Sequence, residues 1–427
     1  MSGADAGKQT GLFKALGPGL LFAATAVGVS HLVQSTRAGA GYGVALLGLI
    51  LLANLIKYPA FRFGPQYSAA TGHSLLEGYR RQGRWALVVY AVLTVGTMFA
   101  VQAAVTVVTA GLVMATTGIQ ANPIVISGVI IAICGGLLAV GRYQWLDRIT
   151  KVLVVILTVS TLVATVLVLP RVPWGGPWWL GSAELDPKTI FFIAALVGWM
   201  PSAFDVAVWQ SLWTLAKRDV TGHKPSLRQA MADFHVGYIG TAFLAVCFVL
   251  LGAGVMHGSG TQFAPSAGKF AGQVIGLYAQ TLGAWAKPVI GVAATAVMFS
   301  TTLAVVDGFP RALSALVERF RGPEETAQEG NEATRSRKTY WMAIAVLFVG
   351  SMLVLVFLLK SLKVLVDIAT TLSFLTAPVL AVLNHRAVLS REVPEACRPR
   401  PWLRALSWVS ILSLGAFAIY YLVLRYG

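Results

Sequence analysis

Gly28-Val29-Ser30-His31 interrupts an apolar run that extends from Ala15 to Val33, at the depth where a bilayer would be half crossed. A second stretch, Gly198-Trp199-Met200-Pro201-Ser202-Ala203, breaks the sixth apolar run in the same way. Lipid cannot satisfy free backbone N–H and C=O groups, so unwound chain at that depth is tolerated only where it is buried in protein or lines a water-filled cavity. Two matched breaks therefore point to one binding site between them. The residues expected to line it are Gly28, Val29, Ser30, His31 and Gln34 on the first run, and Gly198, Met200, Pro201, Ser202 and Asp205 on the sixth.

Composition agrees with a chain that lives in a bilayer. Of the 427 residues 56% are hydrophobic and 12% charged, and the mean hydropathy is +0.72, which excludes an ordinary soluble globule. A net charge of +16 would suggest nucleic acid in a soluble protein, and the placement of the basic residues removes that reading. Cys134 and Cys247 lie inside apolar runs and Cys397 in a basic loop, without the spacing of a disulfide framework or a zinc site. Lys8 and Lys14 precede a first run too long for a signal-peptide core, so that run is expected to act as the insertion signal itself.

Runs of about 20 apolar residues, the length that crosses a ~30 Å hydrocarbon core, predict spans near 15–41, 43–66, 85–115, 122–141, 146–170, 189–214, 235–256, 285–307, 339–359, 362–384 and 402–425. Counting lysines and arginines in the short loops puts the N-terminus inside and the C-terminus outside a bacterial inner (plasma) membrane. Arg80, Arg81, Arg84, Arg142, Arg148, Lys151, Lys217, Arg218, Lys224, Arg228, Arg335, Arg337 and Lys338 fall inside, whereas Arg37, Arg171, Lys188, Lys269, Lys287, Lys360 and Lys363 are spread thinly outside. Lys57 and Arg62 are placed toward the inner end of the second span. The expected organisation is a cytoplasmic N-terminus (1–14), a first repeat (15–170), an extracellular loop (171–187), a second repeat (188–384), and a cytoplasmic loop with a final span (385–427). Within this plan Gly322–Lys338 reads as a polar, mobile linker, and Trp174, Trp178 and Trp179 read as an interfacial cap.

Laid against each other, spans one to five and six to ten both begin with the broken one, and because five is odd the second set must have the opposite topology. That is the signature of inverted repeats with a site at the midplane. The residues also carry a family likeness. Gly17-Pro18-Gly19-Leu20-Leu21, then Ala38-Gly39-Ala40-Gly41-Tyr42-Gly43 after the break, resemble the first helix of the Nramp family of proton-coupled divalent-metal transporters. Ala53-Asn54-Leu55, Gly72-His73-Ser74-Leu75, Gly141-Arg142-Tyr143 and Trp199-Met200-Pro201 extend the resemblance through most of the chain in the right order. It implies an all-α membrane protein of the LeuT fold, with 11 transmembrane helices in a 5+5 inverted repeat whose helices 1 and 6 are broken.

The resemblance also shows what has changed. The family's first-helix motif is Asp-Pro-Gly-Asn, whose Asp and Asn are metal ligands; aligned on Gly39-Ala40-Gly41-Tyr42-Gly43 it places Gly28 at the Asp and His31 at the Asn. Its sixth-helix motif Met-Pro-His keeps Met200 and Pro201 but has Ser202 for the histidine. A divalent cation needs anionic or several neutral oxygen ligands to replace its water, and Asp205 is the one nearby acid. What remains is rich in donors: His31, Gln34 and Arg37 recur at i, i+3 and i+6, and a half-helix N-terminus favours an anion. A glycine at 28 lets such a ligand approach the backbone. The reading is a small inorganic anion, with bicarbonate the natural candidate, although nitrite and formate meet the same description. The alternative is a divalent metal (Mn, Fe or Mg) at a degenerate site. No cofactor and no resident metal are expected.

The remaining polar residues leave choices open. Arg37 is expected either to gate the site or to snorkel to the interface, and Asp205 to pair with Arg37, accept a proton or bind a coupling cation, H+ or Na+. Asp307-Gly308 reads as a turn ending the eighth span. Thr301, Thr302, Asp367, Thr370 and Ser373 line spans eight and ten, where hydroxyls serve either a coupling ion or nearby carbonyls. An enzyme would need a catalytic set, yet His31 alone among the six histidines is placed deep in a helix, with His73, His223 and His385 in loops and His235 and His257 near the ends of span seven. No HExxH, CxxC or GxSxG pattern lies at depth. The expected partners are thus a small ion, a coupling ion and the lipid bilayer, and not nucleic acid.

Overall fold

The structure is a computed structural model that describes residues 17–140, 143–181, 185–222, 224–260, 263–323, 331–359 and 361–426. Lys8, Lys14, residues 1–14, Gly141, Arg142, His223 and Lys360, and the side chains of Arg148, Lys151 and Arg335, lie outside what is described. The first span is two helices, α1 (Pro18–Ala26) and α2 (Ser30–Tyr42), bent by 41° across Val27, Gly28 and Val29. There follow α3 (Leu47–Thr71), α4 (Leu75–Gln82), α5 (Arg84–Thr117), α6 (Pro123–Val140) and α7 (Tyr143–Val168). The sixth span is again two helices, α8 (Pro187–Gly198) and α9 (Asp205–Thr221). The chain is completed by α10 (Leu227–Val255), α11 (Ala267–Leu282), α12 (Ala286–Arg321), α13 (Asn331–Leu358), α14 (Leu362–Val388) and α15 (Pro401–Tyr426).

Nine of the described helices are each long and apolar enough to cross a membrane, and the bent α1–α2 pair makes a tenth. The α8–α9 pair completes the eleven. Strongly apolar α6, α13 and α15 keep much of their surface outward, with Val129, Val349 and Leu412 among the exposed side chains. That is where lipid would lie. The broken spans are instead packed inside. Every residue of α8 from Phe192 to Gly198 is buried, as is every residue from Ser30 to Gly39 of α2.

Close helix packing holds the first span in place. A Cβ on Gly39 would sit 1.9 Å from the carbonyl oxygen of Val249, and one on Gly252 would sit 2.3 Å from that of Thr36, so α2 and α10 meet backbone to backbone. At the start of α1 the carboxylate of Asp233, on α10, accepts hydrogen bonds from the amides of Gly17 (3.1 Å) and Gly19 (2.6 Å). A carboxylate at a helix N-terminus satisfies amides that have no partner one turn back and meets the positive end of the dipole.

Several expectations need correction. The eighth span does not end at Asp307: α12 runs on to Arg321 through Pro310. Gly308 serves close approach and not a turn, since a Cβ there would lie 2.5 Å from Cδ2 of the Trp209 ring. Asp307 itself accepts from Trp213 Nε1 (3.1 Å), Arg311 (2.7 Å) and Tyr340 (2.8 Å). The linker expected over Gly322–Lys338 is shorter, because α13 begins at Asn331 and residues 324–330 are outside the description. His235 lies two turns inside α10, where Nε2 bonds Tyr58 (2.7 Å), and His385 lies inside α14, where Nδ1 bonds Ser407 (2.9 Å). Helices α4 and α11 were not anticipated; α4 is short and polar on one face, with Glu77 wholly buried against Arg80 (2.7 Å) and Arg81 (2.6 Å).

Candidate substrate site

The two breaks face each other across a cavity of about 30 Å³. Thr25, Val29 and Ser30 line it from the first span, Trp199, Ser202, Ala203, Val206 and Trp209 from the sixth, Val101 and Val105 from α5, and Thr301 and Val305 from α12. The wall is apolar with hydroxyls set into it, and none of these side chains is ionisable. Trp209 is 1% exposed and its indole Nε1 has no hydrogen-bond partner. Its ring is fixed edge-on to Phe309 at 4.7 Å between centroids and lies against Gly308.

Each break has a carbonyl end and an amide end, and the two kinds of end are treated differently. At the end of α1 the Thr301 hydroxyl donates to the carbonyl of Ala24 (2.7 Å), and the Ser30 hydroxyl lies against that of Ala26. At the end of α8 the ammonium of Lys57 donates to the carbonyls of Val197 (2.6 Å) and Gly198 (2.9 Å), with that of Ser202 at 3.5 Å. Both carbonyl ends are thus capped from within the protein. The helices that start after the breaks, α2 at Ser30 and α9 just beyond Ser202 and Ala203, begin at the cavity wall. The amides of His31 and Leu32 return to the Gly28 carbonyl and those of Val206 and Ala207 to the carbonyls of Ala203 and Phe204, so what converges on the cavity is the positive ends of two helix dipoles.

Val29, Ser30 and Ser202 are the expected site residues that the cavity brings together. Gly28 lies behind them, where a Cβ would come within 2.9 Å of Thr301 Cγ2, and Gly198 packs on α14, where a Cβ would lie 2.0 Å from the Thr370 carbonyl oxygen. Met200, wholly buried, does not line the cavity, and neither does Pro201, whose peptide bond to Met200 is cis.

The stripe of His31, Gln34 and Arg37 does not exist as expected. Ser30–Ser35 is a π-helix, whose wider turn carries i+3 off the line that a 3.6-residue repeat would give. His31 turns toward α10, with Nε2 2.8 Å from the Thr241 carbonyl and Nδ1 2.7 Å from the Ser30 hydroxyl. The Thr241 carbonyl fixes the proton on Nε2, so Nδ1 and the Ala26 carbonyl compete for the single Ser30 hydroxyl proton. His31 thus orients a cavity hydroxyl and does not line the cavity itself. Gln34 and Arg37 go the other way. Arg37 grips Asp367 of α14 through two bonds (2.7 and 3.2 Å), donates to Gln34 Oε1 (2.7 Å) and lies over the Phe192 ring.

The expected pairing of Asp205 with Arg37 is therefore wrong: Asp367 is the partner, and Asp205 accepts from the Thr94 hydroxyl (3.2 Å). Lys57 is also misplaced by the sequence reading, since it sits mid-way along α3 and is completely buried. A lone lysine inside an apolar span was the available signal for it. Trp209 and Thr301 had none, because an indole and a hydroxyl are ordinary in a membrane helix.

This architecture, two broken spans crossing at the middle of a ten-helix inverted repeat with one helix appended, is the LeuT fold. The manganese transporter of Eremococcus coleocola, in complex with an aromatic bis-isothiourea compound, superposes with a TM-score of 0.70 at 12% identity, covering 96% of this chain and 86% of that one. MhsT in complex with L-phenylalanine superposes with a TM-score of 0.65 at 14% identity, covering 96% and 98%. In sequence, residues 19–424 match the family described as natural resistance-associated macrophage protein-like. An uncharacterized protein of Pasteurella multocida (strain Pm70) is 34% identical over 419 residues, 97% of this chain and 93% of its own length. The chain belongs to the Nramp family. It is an integral membrane protein of the secondary-transporter class.

Proposed function

We propose that this protein moves a small inorganic anion, bicarbonate in the first instance, by alternating access between its two broken spans. The observation that carries the reading is the sorting of half-helix ends. Carbonyl ends that could coordinate a cation are already occupied by Thr301 and Lys57, whereas the positive ends of the α2 and α9 dipoles meet the cavity beside the unpartnered indole N–H of Trp209. Donors without acceptors suit an anion. Among the described residues no three His, Cys, Asp or Glu side chains gather as a metal cage would require. At about 30 Å³ the cavity holds only a few water-sized particles, a scale that suits a small ion.

The orientation we favour puts the N-terminus in the cytoplasm of a bacterial cell and the C-terminus outside. Arg37–Asp367 is then the outer closure of the site, and the cluster of Asp307, Arg311, Trp213 and Tyr340 is part of the inner one. The repeats remain residues 15–170 and 188–384, the coupling ion being H+ or Na+.

Reconstitution into liposomes tests the cargo. A bicarbonate gradient should drive an internal pH change beyond that of empty liposomes, and Trp209→Phe should raise the half-saturating concentration roughly tenfold or more, the worth of one hydrogen bond to a charged group. Saturable manganese uptake that Met200→Ala abolishes would refute the anion reading in favour of the divalent metal.

A further inference from the structure

Lys57 sets its side-chain nitrogen in a place with no solvent and no acid among the described residues. Its side chain is 0% exposed, and among the described residues no carboxylate forms an ion pair with it. Its neighbours are three carbonyl oxygens at 2.6, 2.9 and 3.5 Å, all from the sixth-span break, and the face of Phe204 at 5.0 Å. Burying an ion without such compensation is prohibitive. Here the compensation is specific: an ammonium has three donors, and the end of α8 offers unpaired carbonyls together with the negative pole of its dipole. In transporters built on discontinuous helices, unwound carbonyls and half-helix C-termini of this kind coordinate the coupling cation.

We propose that Lys57 is a tethered cation: its ammonium permanently fills the carbonyl cluster at the end of α8 that a diffusible coupling cation would otherwise have to occupy. The inference rests on the transporter reading above and is indifferent to the cargo. The break keeps its positive charge covalently, on α3, so α8 and the segment leading into α9 stay tied to α3 whichever inorganic cations are present. Lys57 is a positioning residue here: it lies behind Ser202, whose carbonyl it approaches and whose residue lines the cavity.

The test needs no substrate. Thermal unfolding of the purified full-length protein is followed in sodium, potassium, lithium and choline salts, and then for Lys57→Ala and Lys57→Met. Any difference in wild-type melting temperature among the four salts should reappear unchanged in Lys57→Met. Lys57→Ala should melt several degrees lower and recover saturably with ethylammonium but not with choline, because only the small amine can reach the vacated carbonyls. Lys57→Met keeps the stem and should be destabilised without recovery. A saturable rise of the melting temperature with one inorganic cation that Lys57→Met alters would overturn the proposal, since the break would then hold a mobile ion, whereas a rise shared by both proteins reports a coupling site elsewhere. So would a Lys57→Met protein as stable as the wild type, or a folded Lys57→Ala protein indifferent to ethylammonium. Failure of bicarbonate transport would leave each of these outcomes readable.

Discussion

Substituting Asp367 by Asn keeps the shape of the side chain that holds Arg37 and removes its charge. The pair meets through bonds of 2.7 and 3.2 Å, with Arg37 8% and Asp367 30% exposed. At an effective dielectric constant of about 20, unit charges at that separation attract by about 6 kcal/mol. Desolvation of Arg37 and the partial solvation of Asp367 offset most of this, leaving about 1–3 kcal/mol between the limits for exposed and buried pairs. If the pair closes one mouth of the site, its loss shifts the equilibrium toward the open form by roughly 5- to 150-fold. The assay is the labelling rate of Ser202→Cys, a cavity position, by a membrane-impermeant thiol reagent, in a protein whose Cys134, Cys247 and Cys397 are replaced. Asp367→Asn and Arg37→Gln should each accelerate labelling within that range, and the double variant should do no more than either alone, because both remove the same contact. The reversed pair, Arg37→Asp with Asp367→Arg, should return the rate toward the parent's. Unchanged labelling in both single variants would refute the closure role.

Two further outcomes follow from how the broken spans are anchored. Asp233→Asn removes the charge that serves the amides of Gly17 and Gly19, and should lower stability to denaturant by about 1–3 kcal/mol; an unchanged midpoint would show that α1 is held by packing alone. Asp186 caps α8, and the hydrogen bond from the Thr189 amide (2.8 Å) holds its carboxyl below the usual range. A depressed acid stabilises the fold above its unfolded-state value and loses that contribution as pH falls through its folded one, so the protection factors of amides in the first turn of α8, normalised for intrinsic exchange, should fall on acidification and Asp186→Asn should abolish that dependence. An identical pH response in the variant would exclude the cap as its source.

The fold was legible in the sequence because a bilayer enforces it. Apolar run length fixes the spans, and the matched interruptions at Gly28 and Gly198 are costly enough in lipid to mean the same thing in both repeats. The site was legible only in its backbone. Val29, Ser30 and Ser202 follow from the breaks themselves, whereas side-chain direction depended on a local change of helical winding that no apolar pattern reports. One π-helical stretch, Ser30–Ser35, sends His31 toward Thr241 and leaves Gln34 and Arg37 facing Asp367. Asp367 lies 330 residues from Arg37 in the chain, and Lys57 reaches carbonyls about 140 residues away, so neither partnership leaves a local trace. Helices α4 and α11 escaped for the opposite reason: they are too short to register as spans.

On the motif alignment that places Gly28 at the family's first-helix aspartate, the proposed change at that position is tied to a second residue. With Thr301 bonded to the Ala24 carbonyl, a Cβ at position 28 would already stand 2.9 Å from its methyl and 3.1 Å from its hydroxyl oxygen. A carboxylate at 28 has no place until Thr301 moves, and when Thr301 moves the carbonyl end of α1 loses its cap. A glycine at 28 and the internal capping of the Ala24 carbonyl by Thr301 are therefore sterically coupled. The same logic applies at the other break, where the carbonyls that might have faced a cation are turned to Lys57. An uncapped carbonyl end is what makes a broken helix attractive to a cation. With both such ends answered from inside, the anion reading proposed above rests on the positive ends of α2 and α9 and on the indole N–H of Trp209, in a wall without an ionised side chain.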